Sequence, residues 1–517
     1  MGSPVRRVAS RARDPRAARA WRAPRAFRTA LLAPSLAFVL APTRASAQPA
    51  QPIVGNDFAI DAFQGPILAP LRMTALGGAY AGYAEGISGF GSNAASPSVR
   101  EAGSSTFFEA EPALSLSWPL SLFENNDFDN SGRADDDYYN FLYGTLGLQL
   151  QAGPFGAGFA SDLQRYTLYL AQGGTSNVSL ARSHLLLSWG FLGGQLHVGA
   201  GVRMAAMLFE TQGKAGVDLG MIGASPEVGL LVRPDWQPFR VGATFRGPVE
   251  TRGLEGNAAV GADGVRRAGA LVLPTGVVVP WELEVGFALQ VGPRPLNPRW
   301  IEPRGHDASY REAALTRADA RRLERLAVLS KARTPEARER ALAALEEVER
   351  REAVRTEREV GQALAAAQHE RRSRQRNWPR AHLLLLADLV ITGSVSRGVS
   401  VSCFLGQARI GAAPELEQGL CAVGSSGPEL NFSPRFGIEA EPVPDLLKTR
   451  FGSYYEPGRF ATARPVGRQH FTFGAELKAV RTDLFGLLPR PLTYTLQTSF
   501  DVAPRYESFS LGIGVWK

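Results

Sequence analysis

Apolar and polar residues alternate with a period of two through segment after segment of this chain. In 195–206, Leu196, Val198, Ala200, Val202, Met204 and Ala206 share one face, and Gln195, His197, Gly199, Gly201 and Arg203 share the other. Trp281, Leu283, Val285, Phe287, Leu289 and Val291 likewise oppose Glu282, Glu284 and Gln290. The pattern returns in 470–479 and 492–502. Successive side chains of a strand point to opposite faces, so each segment reads as a strand with two unlike surroundings. Alternation over ~10 residues is also the length that crosses a bilayer at a tilt. A single such strand decides little, because soluble sandwiches alternate too. A long series of them favours a barrel.

The expected strands are 104–119, 139–152, 155–173, 177–191, 195–210, 220–233, 238–250, 278–292, 380–402, 434–442, 447–456, 469–480, 491–502 and 506–516, fourteen in all. An even count suits a closed bacterial barrel. If the first strand runs upward, upward strands end in long connections (120–138, 211–219, 251–277, 403–433, 457–468). Downward strands mostly end in tight ones, such as Gly153-Pro154, 192–194 and 443–446. Long outer loops and short periplasmic turns have this asymmetry. No run of 18 apolar residues exists, which excludes a helical membrane protein. The fold class is all-β: a transmembrane antiparallel β-barrel of fourteen strands, 1–8 in 104–303 and 9–14 in 377–517.

One connection breaks the rule of short turns. Residues 304–376 carry 18 basic and 13 acidic side chains with almost no Gly or Pro. They predict a helical hairpin over 308–332 and 335–376, with Thr334 as N-cap and Pro335 at the first helical position. Strand parity places it in the periplasm. It is either a solvated, self-packed coiled-coil hairpin or an arm that docks a periplasmic protein.

Charge changes the picture at the N-terminus. The whole chain is +8, yet residues 1–48 hold ten arginines and one acid, Asp14. An Arg-rich stretch, the apolar run Ala30 to Ala41 and Ala45-Ser46-Ala47 have the three parts of a secretory signal, 1–47, cut before Gln48. Without it the balance is −1, which removes the case for nucleic acid. Cys403 and Cys421 are then expected to form a disulfide in an oxidising compartment. Residues 48–103 are rich in Gly and Ala without a strand period and precede the first strand, so they are expected to fold into the lumen as a plug.

Several motifs carry a family resemblance. Arg72-Met73-Thr74-Ala75-Leu76-Gly77-Gly78-Ala79-Tyr80-Ala81, then Ser92-Asn93-Ala94-Ala95, is similar to the plug segment of the FadL-like outer-membrane transport barrels for hydrophobic compounds. Phe239 to Pro248 with Leu273-Pro274, and Arg435 to Glu439 with Arg450 to Tyr455, resemble that family's mid-barrel and late strand pairs. The family usually has Asn-Pro-Ala where Asn93-Ala94-Ala95 stands, and an aromatic last residue where this chain ends in Lys517. The resemblance implies a fourteen-stranded barrel with a plug at Arg72, Gly77, Gly78, Asn93, Ala94 and Ala95. It implies passive transport, with hydrophobic compounds such as long-chain fatty acids as ligand. The location implied is the outer membrane of a Gram-negative bacterium, against outer-membrane lipid.

Inward strand faces offer lumen-lining candidates: Arg203, Arg240, Arg246, Glu282, Glu284, Asp388, Arg435, Glu439, Arg450, Glu476, Lys478 and Asp501. Both signs occur, so cross-lumen pairing is the expectation for most. In the third strand the apolar residues are odd-numbered to Leu163 and even-numbered from Tyr166. A bulge at Gln164-Arg165 would produce that phase change. In the resembled family a kink there opens a lateral gate; the alternative is that the later residues protrude beyond the bilayer.

Asp127, Asp129, Ser131 and Asp135 fall at calcium-loop positions, but Tyr138 stands where the bidentate Glu belongs. A solvated acidic loop competes with calcium there, and no other cofactor is expected. No Walker loop, His-Glu-x-x-His or nucleophile elbow occurs, so no enzyme is expected. The expected function is a porin-like channel for hydrophobic compounds; the competing one is an assembly barrel whose hairpin recruits a partner.

Overall fold

The computed structural model describes residues 53–517 apart from 102–103, 105, 120–126, 128–129, 131–138, 170–173, 212–218, 255–258, 269–270, 301–302, 330–333, 408–420, 461–466, 483–491 and 516–517. The expected signal at 1–47 lies outside the described residues.

Fourteen antiparallel strands close into one barrel. They are β1 (Phe108–Pro119), β2 (Tyr139–Ala152), β3 (Phe155–Tyr169), β4 (Thr175–Phe191), β5 (Leu196–Thr211), β6 (Leu219–Val232) and β7 (Phe239–Arg246). The second half is β8 (Glu282–Val291), β9 (Leu383–Thr392), β10 (Asn431–Val443), β11 (Leu447–Glu456), β12 (Arg468–Thr482), β13 (Leu492–Ala503) and β14 (Tyr506–Val515). Each pairs with the next, and β1 pairs with β14, Leu114 opposite Ile513. Closure removes the unpaired edges an open sheet would expose.

The alternation is explained by the two faces of this wall. On β2, Leu146, Leu148 and Leu150 point outward, and Leu146 is 61% exposed, while Thr145, Gln149 and Gln151 are buried inside. Leu185, Leu187 and Trp189 on β4, and Phe471 and Phe473 on β12, continue the exposed apolar belt. A continuous belt of this kind needs an apolar surrounding rather than water. Most short turns gather at one end of the barrel, here the turn end, and most long connections at the other, the loop end; the hairpin and the turn at Pro504-Arg505 are exceptions.

The lumen is filled by the plug. Residues 53–101 enter at the loop end, form helix α1 (Leu71–Ala75), cross the interior and leave at the turn end. Their first contact is in the wall itself: Ala59–Asp61 pairs in parallel with Gly276–Val278 on one side and Gly398–Ser400 on the other. This wedge had no counterpart in the sequence reading, which placed the whole segment inside.

Other departures have local causes. The seventh strand, expected over 238–250, breaks at Gly247-Pro248, and Val249–Leu254 leaves to pair with Gly276–Val279. The ninth, expected over 380–402, stops at Thr392; Ser400 then caps helix α4 (Val401–Gly406), its Oγ accepting from the Cys403 N–H at 3.1 Å. The bulge expected in β3 at Gln164-Arg165 is absent. The β3–β4 ladder is unbroken from Phe155 to Tyr169, and the register shift lies in β2, between Tyr139 and Leu142. Gln164 faces the lumen, accepting from Arg182 at 3.3 Å.

The hairpin is present as α2 (Pro303–Leu329) and α3 (Pro335–Arg376). Thr334 Oγ1 accepts from the Ala337 N–H at 3.3 Å, the expected cap. Arg321–Glu352 and Arg322–Glu349, both at 2.8 Å, and Arg311–Glu357 join the two helices. Leu342 of α3 is exposed, whereas Val360 is buried.

Candidate functional site

The plug meets the wall through glycines. A Cβ on Gly437 of β10 would stand 2.7 Å from the Leu76 carbonyl oxygen, and one on Gly286 of β8 would stand 2.5 Å from the Gly82 nitrogen. Gly199 of β5, Gly229 of β6 and Gly242 of β7 press on Ala94, Asn93 and Ala81 in the same way. These positions face one another across the ladders: Gly199 is opposite Gly229, and Gly242 opposite Gly286. Missing side chains on the inner face let two backbones touch. The small-residue composition of the plug completes the fit from its own side: Gly77, at φ +61°, would place a Cβ 2.7 Å from the Ser453 nitrogen.

Hydrogen bonds fix the register of this contact. Asn93 Nδ2 donates to the Ala81 carbonyl at 2.9 Å and to the wall carbonyl of Leu230 at 3.1 Å, while its Oδ1 accepts from the Ala95 N–H at 2.9 Å. The Ala94 N–H reaches Thr244 Oγ1 at 3.5 Å, a donor a proline there would lack. Asp388 of β9 accepts the N–H groups of Tyr80 and Ala81 at 2.6 and 2.7 Å.

The inward charges form separate clusters rather than one ring. Arg72 of the plug is bidentate to Glu439, at 2.8 and 3.0 Å, and Glu439 also accepts from Arg450 at 2.6 Å, which in turn reaches Glu476. Arg246 pairs with Glu284 at 2.9 Å and lies 3.5 Å from Glu282, which also meets Arg203 at 3.1 Å. Arg435 joins at 3.8 Å from Glu284 and donates to the Gly78 carbonyl at 3.4 Å. Arg240, fully buried, holds Glu85 of the plug at 2.6 Å. Asp501 belongs to a cluster near the loop end, where its carboxylate meets His470 at 2.8 Å and the Tyr454 hydroxyl at 2.7 Å. Buried pairs cost desolvation and repay it only when fully bonded, as most of these are.

Lys478 is a correction: it sits at the turn-end rim against Asp445 at 2.9 Å, beyond the lumen proper. His184, Glu227, Glu456 and His470 are lumen residues the sequence reading passed over. Period two gave their face, but nothing gave their partners. Asp61 and Arg459, paired at 3.0 Å under the loops, left no sequence signal at all.

At the loop end the inner face changes character. Val178 and Leu180 of β4, Ala205, Met207 and Phe209 of β5 and Met221 of β6 point inward and are buried. Phe58 and Ile60 of the wedge, Val277 and Phe404 of α4 pack on them as one cluster. The expected disulfide joins Cys403 of α4 to Cys421. Between the apolar layer and the plug lies a cavity of about 130 Å³, bordered by Phe63, Leu68, Met73 and Val279 on one side and Arg182, His184 and Glu282 on another. A second, of about 100 Å³, lies beside Phe63, Leu180 and Phe460.

The first acidic loop is described only in part. Asp127 is buried and accepts from Arg505 Nε at 2.9 Å, so its carboxylate is already neutralised by an arginine. Asp129, Ser131 and Asp135 lie outside the described residues. In the outer loops, Asp263 is exposed and its bond to Arg267 at 2.6 Å holds its carboxyl low, at about 2.

No protein-family model matches the chain, and no curated protein does. Among solved structures it is similar to the Pseudomonas putida toluene transporter TodX, at TM-score 0.43 and 12% identity over 89% of this chain and 98% of that one. It is similar to the CymD monoaromatic hydrocarbon channel at TM-score 0.41 and 9% identity, over 88% and 97%. A FadL homologue of Pseudomonas aeruginosa follows at TM-score 0.36 and 12% identity, over 90% and 98%. Likeness at this level decides nothing about what the barrel carries; its own residues must.

Proposed function

We propose that the chain is a passive outer-membrane channel for small hydrophobic compounds. The observation that carries this is the apolar inner layer at the loop end, built from Val178, Leu180, Met207, Phe209 and Met221. A water-filled porin lines its lumen with polar groups. A hydrophobic solute instead needs apolar walls with a few polar groups to orient it. The exposed apolar belt supports the membrane setting. Compact solutes suit the lumen best: an apolar cavity of about 150 Å³ holds benzene, and the larger space beside the plug is about 130 Å³. The plug blocks a straight path, so a solute that binds in the apolar layer advances only when plug segments around Phe63–Leu68 yield.

The test is uptake of labelled toluene by intact cells expressing the chain or its Val178→Asp/Leu180→Asp double variant. The variant should lose at least about tenfold of the uptake, since each carboxylate puts an unpaired charge in the apolar layer. Equal uptake by the two proteins removes the apolar layer from the route.

A further inference from the structure

A further cavity lies away from the route above. It has a volume of about 560 Å³ and lies at the turn end, under the β2–β3, β4–β5 and β6–β7 turns. Its floor is the segment Pro298–Trp300, which runs from β8 toward the hairpin and crosses the barrel end; Asn297 pins it there by donating to the Gln237 and Phe239 carbonyls at 3.0 and 2.8 Å. A space of this size is in the range of small-molecule sites.

Its polar groups are unequally occupied. Arg100 is spent: it donates to Gly153, Thr106 and Phe107 carbonyls and to Ser104. His197 is spent too, with Ser98 Oγ at 2.8 Å on one ring nitrogen and the Gly194 carbonyl at 3.0 Å on the other. Arg233 is different. It is 5% exposed, and among the described residues its guanidinium has one acceptor, the Arg100 carbonyl at 2.8 Å, and no ion-pair partner. Arg203, Arg240, Arg246, Arg450, Arg459 and Arg468, buried like it, each meet a carboxylate. Trp300 Nε1, another cavity lining donor, is buried without a partner. The one acid on the cavity, Asp235, faces Arg299 at 3.9 Å. A buried, unpaired cation is costly, and the cost falls when an anion arrives.

We propose that this cavity binds a compact organic carboxylate, its oxygens on Arg233 and Trp300 Nε1 and its apolar body against Pro154, Pro298 and the glycine turns. The site deepens the channel reading, on which it rests: it gives the turn end a holding place for acids among the compounds carried. The probe is benzoate, with benzamide as the neutral comparison, titrated into the purified full-length protein in detergent. Wild type should bind benzoate, Arg233→Gln should weaken it at least about tenfold, and benzamide should bind no better to wild type than to the variant. Arg233→Lys, which keeps the charge, should recover part of the affinity. If Arg233→Gln does not fold, Trp300→Phe removes the indole donor while keeping an aromatic ring beside Arg100, and should still weaken benzoate severalfold. Benzoate affinity that is absent in wild type, or unchanged in the variant that folds, overturns the site. Toluene uptake by the wild-type chain keeps the two readings apart. Binding of benzoate without toluene uptake would leave the site and remove the channel; the reverse would remove only the site.

Discussion

The barrel carries two insertions of opposite physical type, the plug inside it and the helical hairpin at its turn end. The plug is held by backbone pressed on backbone at glycines, and by buried pairs such as Arg240–Glu85 at 2.6 Å. The hairpin is held by solvent-accessible pairs, such as exposed Arg322 with half-buried Glu349, and by a thin apolar strip around Ala314 and Val360. In the first, one misplaced atom has nowhere to go; in the second, side chains can rearrange in water. Charge counts do separate the two: of Arg and Glu, residues 48–103 hold only Arg72, Arg100, Glu85 and Glu101, while the hairpin is dense in both.

Glycine substitutions separate the two regions most sharply. Gly199→Leu puts a side chain into the Ala94 backbone and should cost at least about 3 kcal/mol or prevent the plugged barrel from forming. Gly361 of α3 has nothing within 4 Å, so Gly361→Ala should stabilise the hairpin by about 1 kcal/mol through helix propensity. Urea unfolding of the folded barrel band on gels measures the first, and helical circular dichroism the second. Similar effects at both sites would erase the distinction.

Charge pairs should follow the same order. Arg240→Met leaves Glu85 buried without its partner and should cost about 3–5 kcal/mol. Arg322→Gln should cost under about 1 kcal/mol and less still at high salt. Deleting 303–376 with a short linker should leave the barrel folded and toluene uptake within about twofold, because the hairpin's own pairs, not the lumen's, are lost. Loss of uptake on that deletion would instead favour the partner-docking role. The smallest effect is expected at Asp263. Its carboxyl is depressed to about 2 by Arg267, so the pair's contribution is complete above the ordinary Asp range and disappears as pH falls through about 2. An NMR titration of the side chain that centres near 4 would contradict the pair.

Much of the barrel could be read from alternation, because each strand has lipid-type surroundings on one face and a packed lumen on the other. Fourteen strands and the hairpin overlap the ranges that period and Gly/Pro content gave, although the seventh and ninth strands end early, and Cys403 bonds to Cys421 as expected. The wedge Ala59–Asp61 was not legible: three residues pairing in parallel with partners more than 200 positions away leave no local pattern. Nor was the apolar layer. The phase change near Gln164-Arg165 was read as a bulge, since a strand's inner face was assumed to stay polar along its length. Val178 and Leu180 show that it does not. Individual charges were placed on the right face, but their partners, such as Arg72 for Glu439, depend on where the plug lies.

The central claim is that this barrel passes hydrophobic solutes and not water-soluble ones. Paired uptake by intact cells, of labelled toluene and of labelled arabinose, tests it most directly. Expression of the chain should raise the initial rate for toluene severalfold and leave arabinose unchanged. Arabinose entering as readily as toluene, or toluene no faster than in cells without the protein, would contradict the account.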